Sequence, residues 1–473
     1  MRLSLRPLAF AIVLAGFAGS ASAADLMQAY EMARQSDPQL QAAESRSLGQ
    51  REGVVQSRAN LLPQLSGDVS WSRTRSESSG SQAFGVIVQP PSESESESTS
   101  RGWGLSLRQS LYDHGNYTRL SAARARAAQA EAEYKAAQDA LIVRVADAYF
   151  NVLTAIETLA SSRAEERSVK RQLDQAEKRL EVGLAPITDV HEARARYDTA
   201  RANAIAAATA LDDAREALAE ITGTPVENLR GLSADFKPAD PTDLINQDWV
   251  ATAMENNPTL LARELALTAA EKDVQTARTG HLPSLALTAS YNDGDGYGDN
   301  DVFAPVPGST SFDNASVRKT VGVTLSVPLY AGGAVQSGVR QAVHGRDAVA
   351  DQLEQERRAV TRLTRNAQRS LAAGSAEVEA RRLSVVSAEA AYEASEAGLE
   401  VGTRTIVDVL ISQQALFQAQ REYARARHAF LVNTLRLKQA AGTISLEDLQ
   451  AVNSVLVADA EAALIRSEEE EAR

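Results

Sequence analysis

The chain contains no cysteine among its 473 residues. Disulfide bonds and thiol catalysis are therefore excluded, as is the lipid-modified cysteine that anchors bacterial lipoproteins. Basic residues are also in deficit, with 49 lysines and arginines against 62 aspartates and glutamates. The net charge of −13 argues against nucleic acid as a partner, because binding along a phosphate backbone needs a basic face.

Residues that carry catalysis are sparse. Five histidines are scattered along the chain, at His114, His191, His281, His344 and His428. They show no zinc-ligand spacing, and the glycine pair at 332–333 lacks the lysine of a phosphate-binding loop. The Asp- and Gly-rich segment 292–299 matches a calcium loop only incompletely, so an external polar loop is the preferred interpretation. We therefore predict no enzyme, no cofactor and no metal centre; a periplasmic enzyme explains the remaining features least well.

Long apolar runs are missing after the N-terminus. Arg2 and Arg6 precede the apolar segment 8–18, and small residues at 21–23 provide a cleavage point. This pattern predicts a secretory signal peptide over residues 1–23, because the apolar stretch is well short of the about 20 residues that span a bilayer. A retained signal anchor is the alternative. Since no later segment is apolar enough for a transmembrane helix, the chain can enter a membrane only as a closed β-barrel.

The rest of the chain reads as two copies of one unit. Pro38 matches Pro258 and Gly183 matches Gly402, and the same offset of roughly 220 residues recurs at further anchors. This spacing predicts a tandem duplication. The predicted segments are a first repeat at 24–223, a linker or equatorial region at 224–257, a second repeat at 258–442, and a C-terminal segment at 443–473 with an acidic disordered tail.

Each copy carries two segments in which apolar and polar residues alternate. They are predicted as strands at about 65–75 and 102–112, and at about 284–291 and 317–330. Such alternation is typical of a barrel with lipid outside and water inside, although a β-sandwich has the same period. The polar segments 76–100 and 292–315 are predicted as external loops. Membrane barrels start at about eight strands, so a chain with two strands per copy must share its barrel with other chains.

Very long helices are predicted beside these strands. Residues 116–182 contain no proline, and the matching segment 334–401 has the apolar spacing of a coiled coil. One continuous helix of this length extends about 100 Å and needs lateral packing against other helices. The expected fold is thus mostly α, with a small membrane β-barrel portion built from the duplicated unit. A secreted structural or adhesin-type protein, with an antiparallel coiled-coil arm and no pore, is the alternative.

The turns between the long helices carry the most specific motifs. Residues 400–410 read EVGTRTIVDVL, and 182–190 contain the related VGL and ITDV. Through these motifs and both repeats, from Asp25 to Gln450, the chain resembles the TolC-like outer-membrane efflux proteins. The resemblance implies a homotrimer in the bacterial outer membrane, with a twelve-stranded barrel continued by an α-helical tunnel into the periplasm. It also implies outer-membrane lipid, a periplasmic adaptor (membrane fusion) protein and an inner-membrane transporter as partners, in multidrug efflux or type I secretion.

The resemblance further implies roles for residues near these turns. Adaptor contacts are implied for Val182, Gly183, Val401 and Gly402. Links between protomers that close the entrance are implied for Thr188, Asp189 and Arg404. Asp408 matches an acidic pore ring, which would favour cations and raise the pKa of each carboxyl; a solvated acid at a helix N-terminus is the alternative. Leu399 and Ile411 depart from the pattern, since the family can carry a gate tyrosine and a second acid at these positions.

Overall fold

The computed structural model describes residues 25–80, 83–84, 87–88, 92–233, 236, 238, 247–304 and 306–459. The predicted signal peptide and the acidic end of the chain lie outside the described residues. The chain divides into two compact units. The strand unit contains residues 43–135 and 258–358, and the helical unit contains the described residues of 1–42, 136–257 and 359–473. Of the helices in the described ranges, none combines the length and the apolar character needed to cross a bilayer.

The strand unit is built on an antiparallel sheet in which the described strands follow the order β1-β4-β6-β7. These strands are β1 Gln64–Gly80, β4 Ser92–Tyr112, β6 Ser284–Ala304 and β7 Gly308–Ser326. A small ribbon of β2 Ala83–Phe84 and β3 Ile87–Val88 stands between β1 and β4 in sequence. Each repeat thus contributes two long strands, as predicted.

The strands are longer than predicted, so the external loops predicted at 76–100 and 292–315 are wrong over most of their length. Gly80 still pairs with Ser92, and Asp301 with Ser309. The ladder uses backbone hydrogen bonds, which serine, glycine and acidic residues form as well as apolar ones. The end of the last predicted strand is also wrong, because β7 stops at Ser326, before Pro328. Proline has no N–H to donate to a ladder.

The alternation gives the sheet two chemically different faces. Leu65, Val69 and Trp71 lie on the same face as Trp103 and Tyr291, whose ring centroids are 5.1 Å apart. The opposite face carries small polar residues. There the hydroxyls of Ser66 and Ser106 lie 2.7 Å apart, and those of Ser72 and Ser100 lie 2.8 Å apart. Between Leu65 and Trp71 of β1 and along the strands beside it, one face therefore suits lipid and the other suits water, as the alternation predicted. Farther along the strands the same face carries ion pairs such as Arg73 with Glu97.

The helices have the predicted lengths. The first repeat contains α1 Leu26–Ser36, α2 Pro38–Ala59, α3 His114–Glu181 and α4 Ile187–Thr222; the second contains α5 Trp249–Asn256, α6 Pro258–Arg278, α7 Ala334–Glu400 and α8 Ile406–Ala441. A 3-10 turn (Thr279–His281) follows α6, and α9 Leu446–Ser454 follows α8. β5 Arg230–Leu232 pairs with β8 Leu456–Asp459. The long helices α3 and α7 have 68 and 67 residues, while α4 and α8 have 36 each.

The duplication is visible in how corresponding helices end. Gly223 ends α4 and Gly442 ends α8, both in the left-handed conformation, with φ of 75° and 72°. Glycine is favoured there because a side chain strains this conformation. In the helical unit the core is formed by fully buried apolar side chains of α3, α4, α7 and α8, including Tyr149, Phe150, Leu153, Ile156, Leu218, Leu371, Leu435 and Leu437.

Candidate functional site

The turn from α3 to α4 and the turn from α7 to α8 have the same backbone geometry. Gly183 has φ of 74° and Gly402 has φ of 79°. In the first turn the N–H of Gly183 donates to Leu180 O (3.0 Å) and that of Leu184 to Arg179 O (2.8 Å). Gly402 and Thr403 donate in the same way to Leu399 O (3.2 Å) and Gly398 O (2.8 Å). Each long helix therefore ends in a Schellman motif, which places a left-handed glycine at its tip.

Both tips expose apolar side chains. Val182 is 67% exposed, Leu184 73% and Val401 75%. No heavy atom lies within 4 Å of the position a Cβ would occupy on Gly183 or Gly402. The four residues predicted to contact an adaptor are thus open to solvent in a single chain. Clustered exposed apolar residues of this kind mark surfaces that bind other proteins.

A capping box fixes the start of α8. The Thr405 hydroxyl accepts from the N–H of Asp408 (3.3 Å), and the Asp408 carboxylate accepts from the N–H of Thr405 (2.9 Å). The Thr405 hydroxyl also lies 2.8 Å from this carboxylate. Arg404 reaches Asp408 only loosely, at 4.0 Å. The hydrogen bonds from Thr405, and then the charge of Arg404, lower the pKa of Asp408 below its ordinary value.

This arrangement gives Asp408 a structural role in one chain. The lowered pKa is opposite in direction to the rise expected where three like charges meet around a pore, because only one carboxylate is present in a single chain. The capping role is the alternative considered for this acid. A carboxylate that caps a helix keeps its negative charge, so the capping role and a role in the proposed pore ring are compatible.

The start of α4 is built differently. Pro186 occupies the N-cap position and offers no side-chain oxygen, and the N–H of Asp189 donates to Pro186 O (3.2 Å). Thr188 is exposed and Asp189 is partly buried. Within the described part of the chain, no ion pair joins Asp189 to Arg404, whose side chain is 59% exposed. Both charged groups therefore remain accessible to a neighbouring molecule.

An apolar cluster underlies both turns. It joins α3 to the first turns of α4 and α8 through Val169, Leu173, Ala176, Val190, Ala193, Ala200, Ile406 and Leu410. Leu399 packs against this cluster, so the position where the family can carry a gate tyrosine holds a core side chain here. Ile411 is 51% exposed. The starts of α4 and α8 are thus held on α3 by apolar packing, and the charged residues lie outside the cluster.

Polar contacts that no sequence motif indicated lie one turn further along α8. Gln413 is 1% exposed, and its side-chain amide donates to the Ser168 hydroxyl (2.5 Å) and lies 3.4 Å from the Tyr392 hydroxyl. Ser412 and Ser395 are hydrogen-bonded at 2.9 Å. These contacts join α8 to α3 and α7. Helical spacing from Val409 and Leu410 predicts an apolar residue at position 413. The glutamine found there was the one feature of the sequence that could have indicated a buried polar contact.

The Asp- and Gly-rich segment 292–299, predicted as an external polar loop, is a strand. Residues 292–299 lie within β6, where Asp293, Asp295 and Asp299 share one face but are spread along the extended strand at about 3.3 Å per residue, so their carboxylates do not surround one point. In the described residues no group of histidine, aspartate or glutamate side chains is placed to hold a metal ion.

Comparison with known proteins places this geometry in a family. The chain matches the family described as outer membrane efflux protein twice, over residues 29–224 and 249–443. It is 36% identical to the outer membrane protein TolC of Vibrio cholerae serotype O1, over 96% of this chain and 98% of that protein. It is 35% identical to TolC of Escherichia coli, over 96% of this chain and 89% of that protein.

Two further similarities are more distant. The alkaline protease secretion protein AprF of Pseudomonas aeruginosa is 28% identical, over 91% of this chain and 87% of that protein. Among solved structures, the Campylobacter jejuni CmeC outer membrane channel has a TM-score of 0.70 and 17% identity, and the match covers 91% of this chain and 90% of that one. At this low identity, the structural similarity shows a shared fold and nothing further.

Proposed function

Because the chain belongs to the outer membrane efflux protein family, it is an outer-membrane channel of efflux and secretion, and we propose that three copies form one continuous duct through which a transporter complex exports its cargo. The family is one of channels and not of enzymes. A secreted coiled-coil protein without a pore is not supported by these relatives. The following features of the chain support the finer parts of the proposal.

The two edge strands of the sheet support the proposal that several copies share one barrel. β1 and β7 stand at the two ends of the strand order, so among the described strands each pairs on one side only. These strands have 17 and 19 residues. Lipid offers no partner to an unpaired backbone, so an apolar strand of this length needs a neighbour. When β1 of one copy pairs with β7 of the next, three copies with four strands each close a barrel of about twelve strands, an even number within the known range.

The inner face of this barrel suits a passive duct. On the face opposite the apolar band lie Ser66, Ser70 and Ser72 of β1 with the serines and glycines of β4 and β6. Small, mostly uncharged side chains leave the lumen wide and select weakly among solutes. We propose that cargo is chosen by the transporter and its adaptor, which supply the energy, and not by the barrel.

The tips are proposed to dock the adaptor. Val182, Gly183, Val401 and Gly402 form two matching apolar turns that are exposed in the chain. A periplasmic adaptor protein with an apolar helical hairpin would cover this surface. An inner-membrane transporter would join the complex through the adaptor.

The entrance is proposed to close through links between neighbouring protomers. Thr188 and Asp189 on α4 and Arg404 beside α8 lie near the turns, and Asp189 and Arg404 have no bond to each other within the chain. Exposed ion pairs contribute only ~0–1 kcal/mol, which suits an entrance that a partner protein must open. Asp408, with its lowered pKa, would supply one negative charge per protomer to a ring that favours cations.

The cargo class is proposed from the relatives. AprF is named for the secretion of alkaline protease, and a more distant relative from Pseudomonas putida, OpmQ, is named for pyoverdine export. We propose the same two classes for this channel: small molecules in multidrug efflux, and proteins in type I secretion.

Ion conductance in a planar bilayer tests the proposed duct. Purified trimers, recognised by a heat-sensitive shift on an electrophoresis gel, should give small cation-selective steps. The Asp408→Asn variant should conduct with weaker cation selectivity. Folded trimers that stay silent, even with Arg404→Ser and Asp189→Ala combined to open the entrance, would contradict the duct.

A further inference from the structure

A buried polar cluster joins α3 to α8 within the helical unit. His428 on α8 is 2% exposed, and its Nδ1 lies 2.8 Å from the hydroxyl of Thr154 on α3. That hydroxyl donates its single proton to the carbonyl of Phe150, at 2.7 Å. We assign the hydroxyl proton to this carbonyl, and the hydrogen bond to His428 then uses a proton on Nδ1. In the neutral imidazole this leaves Nε2 with a lone pair and no proton.

The Nε2 atom faces another acceptor. Glu157 Oε1 on α3 lies 3.5 Å from it, and among the described residues Nε2 has no hydrogen-bond partner. The second oxygen of Glu157 lies 3.4 Å from the Arg427 guanidinium, which also donates to Ser233 O (3.3 Å) and lies over the Tyr423 ring. A carboxylate and an imidazole lone pair thus face each other, and one proton is missing from the hydrogen bond between them.

We propose that Glu157 and His428 take up one shared proton when the surroundings become acidic, and that the resulting hydrogen bond ties α8 to α3. The coupling to transport rests on the proposed function, because α8 begins beside Arg404 and Asp408. If the entrance opens by moving the start of α8 away from α3, this bond opposes opening. The pair is then a pH-sensitive latch between the two helices.

The position of the proton follows from the surroundings of each group. Burial, and then the positive charge of Arg427, lowers the pKa of His428 to about 3. Burial raises the pKa of Glu157, while Arg427 opposes that rise. The first proton therefore resides on Glu157, and the carboxylic acid donates it to Nε2.

The pH dependence of the latch differs from that of the whole fold. Glu157 has a raised folded-state pKa, so the latch is present at low pH and is lost as the pH rises through that value. His428 has a lowered folded-state pKa, so the unfolded chain gains protons as the pH falls below 6.5, and this destabilises the fold. The two contributions oppose each other, so a local measurement is needed to see the latch.

The other charged groups around the pair have partners of opposite charge or face solvent. Asp147 on α3 pairs with Arg436 on α8, and Glu165 with Arg421, both at 2.8 Å. Further neighbours on α8 are Glu422, 3.7 Å from Arg381 of α7, and the exposed Arg425. From α4, the adjoining surface is Ala207, Ala210 and Ala214.

Protons can reach the pair. His428 and Thr154 line a cavity of about 620 Å³ between α3, α4 and α8, and the Glu157 side chain is 31% exposed. The cavity is large enough for water, and Asp147 and Asn151 in its wall offer hydrogen-bond partners to it. The buried imidazole therefore does not isolate the pair from the pH outside.

Infrared difference spectroscopy tests the shared proton directly. On acidification of the wild-type protein, the carbonyl band of a protonated carboxylic acid at Glu157 should appear and should be absent in Glu157→Gln. In His428→Phe the apparent proton affinity of Glu157 should fall by about fivefold to tenfold, the equivalent of one hydrogen bond. Glu133→Gln, an exposed acid on the same helix, is the matched control and should keep the wild-type band. A wild-type spectrum identical to that of Glu157→Gln at every pH overturns the proposal.

Conductance from about pH 8 down to 4.5, the ordinary pKa above which that of Glu157 is raised, tests the coupling to the entrance. Acidification should lower the open fraction of the wild type. The open fraction of Glu157→Gln should stay low at both pH values, because the amide donates to Nε2 without titrating. The open fraction of His428→Phe should stay high at both pH values, because phenylalanine cannot accept the hydrogen bond. Equal pH responses in all three proteins overturn the coupling. Silence that persists when Asp189→Ala and Arg404→Ser are added refutes the duct and leaves the shared proton to the infrared result.

Discussion

At the scale of single residues, the cap at the start of α8 favours the charged form of the proposed pore ring. Thr405 supplies the two largest contributions that lower the pKa of Asp408. The stabilisation from this cap is present above the ordinary carboxyl value of 3.8 and is lost as the pH falls through the lowered value. The cap is therefore intact over the physiological range. A threonine that does not itself titrate thus favours the ionised form of each carboxyl in the proposed ring.

Thr405→Ala should return the pKa of Asp408 toward its ordinary value and loosen the first turn of α8. The carboxyl pKa can be followed by NMR titration, and the first turn by hydrogen exchange, which should become about two- to tenfold faster. Ser445→Ala is the matched control, since Ser445 forms the same capping box with Asp448 at the start of α9. If Asp408 titrates at its wild-type pH in Thr405→Ala, the assigned cause of its low pKa is wrong.

The gate links are a second prediction at this scale. Asp189→Ala or Arg404→Ser should raise the open fraction of the channel by about fivefold or more, because each change removes one exposed ion pair in every protomer. Single-channel recording measures this fraction. Arg382→Ser is the control, since Arg382 pairs with Glu379 on its own helix, at 2.8 Å, and stands outside the turns. Unchanged conductance in both gate variants would refute the gate assignment without refuting the channel.

At the scale of elements, the sequence predicted the helices and turns well and the strand ends poorly. The left-handed turn at Gly402 was predictable because glycine after a long helical pattern is a local signal. Segments 76–100 and 292–315 have the composition of loops, yet backbone pairing across the sheet extends strands into them. Contacts such as Gln413 with Ser168, or His428 with Thr154, join residues more than 240 positions apart and leave no local pattern.

The two tip glycines give a prediction for the helical hairpins. Gly183→Ala or Gly402→Ala should destabilise its turn by roughly 1–2 kcal/mol, because an L side chain is strained at positive φ. Adaptor binding, measured with a purified adaptor on a sensor surface, should weaken along with it. Gly345→Ala within α7 is the control with the opposite expectation, since that glycine has open space around it and alanine favours a helix by about 1 kcal/mol. Tip variants as stable and as tightly bound as the wild type would contradict both roles.

At the scale of the whole molecule, the sheet is complete only when other copies are present. Its middle strands β4 and β6 pair on both sides within the chain, whereas β1 and β7 each have one side without a partner among the described strands. The apolar face of the sheet extends to both of these edges. When β1 of one copy pairs with β7 of the next, the unpaired backbone groups of both edge strands are satisfied by one kind of contact. Such a head-to-tail contact between copies generates a ring when the rotation closes.

The absence of cysteine makes this edge contact testable by disulfide formation. Ser70→Cys on β1, combined in turn with Ser316→Cys or Thr320→Cys on β7, should link copies into covalent dimers and trimers on a non-reducing gel. Ser106→Cys with Ser290→Cys is the matched control: these residues are paired within one chain, so their disulfide should leave the chain monomeric under denaturing conditions. Because a closed ring joins every β1 to a β7, full oxidation should end at the trimer. A ladder that continues to longer species would mean open chains, and monomers alone would mean that β1 and β7 of different copies do not meet.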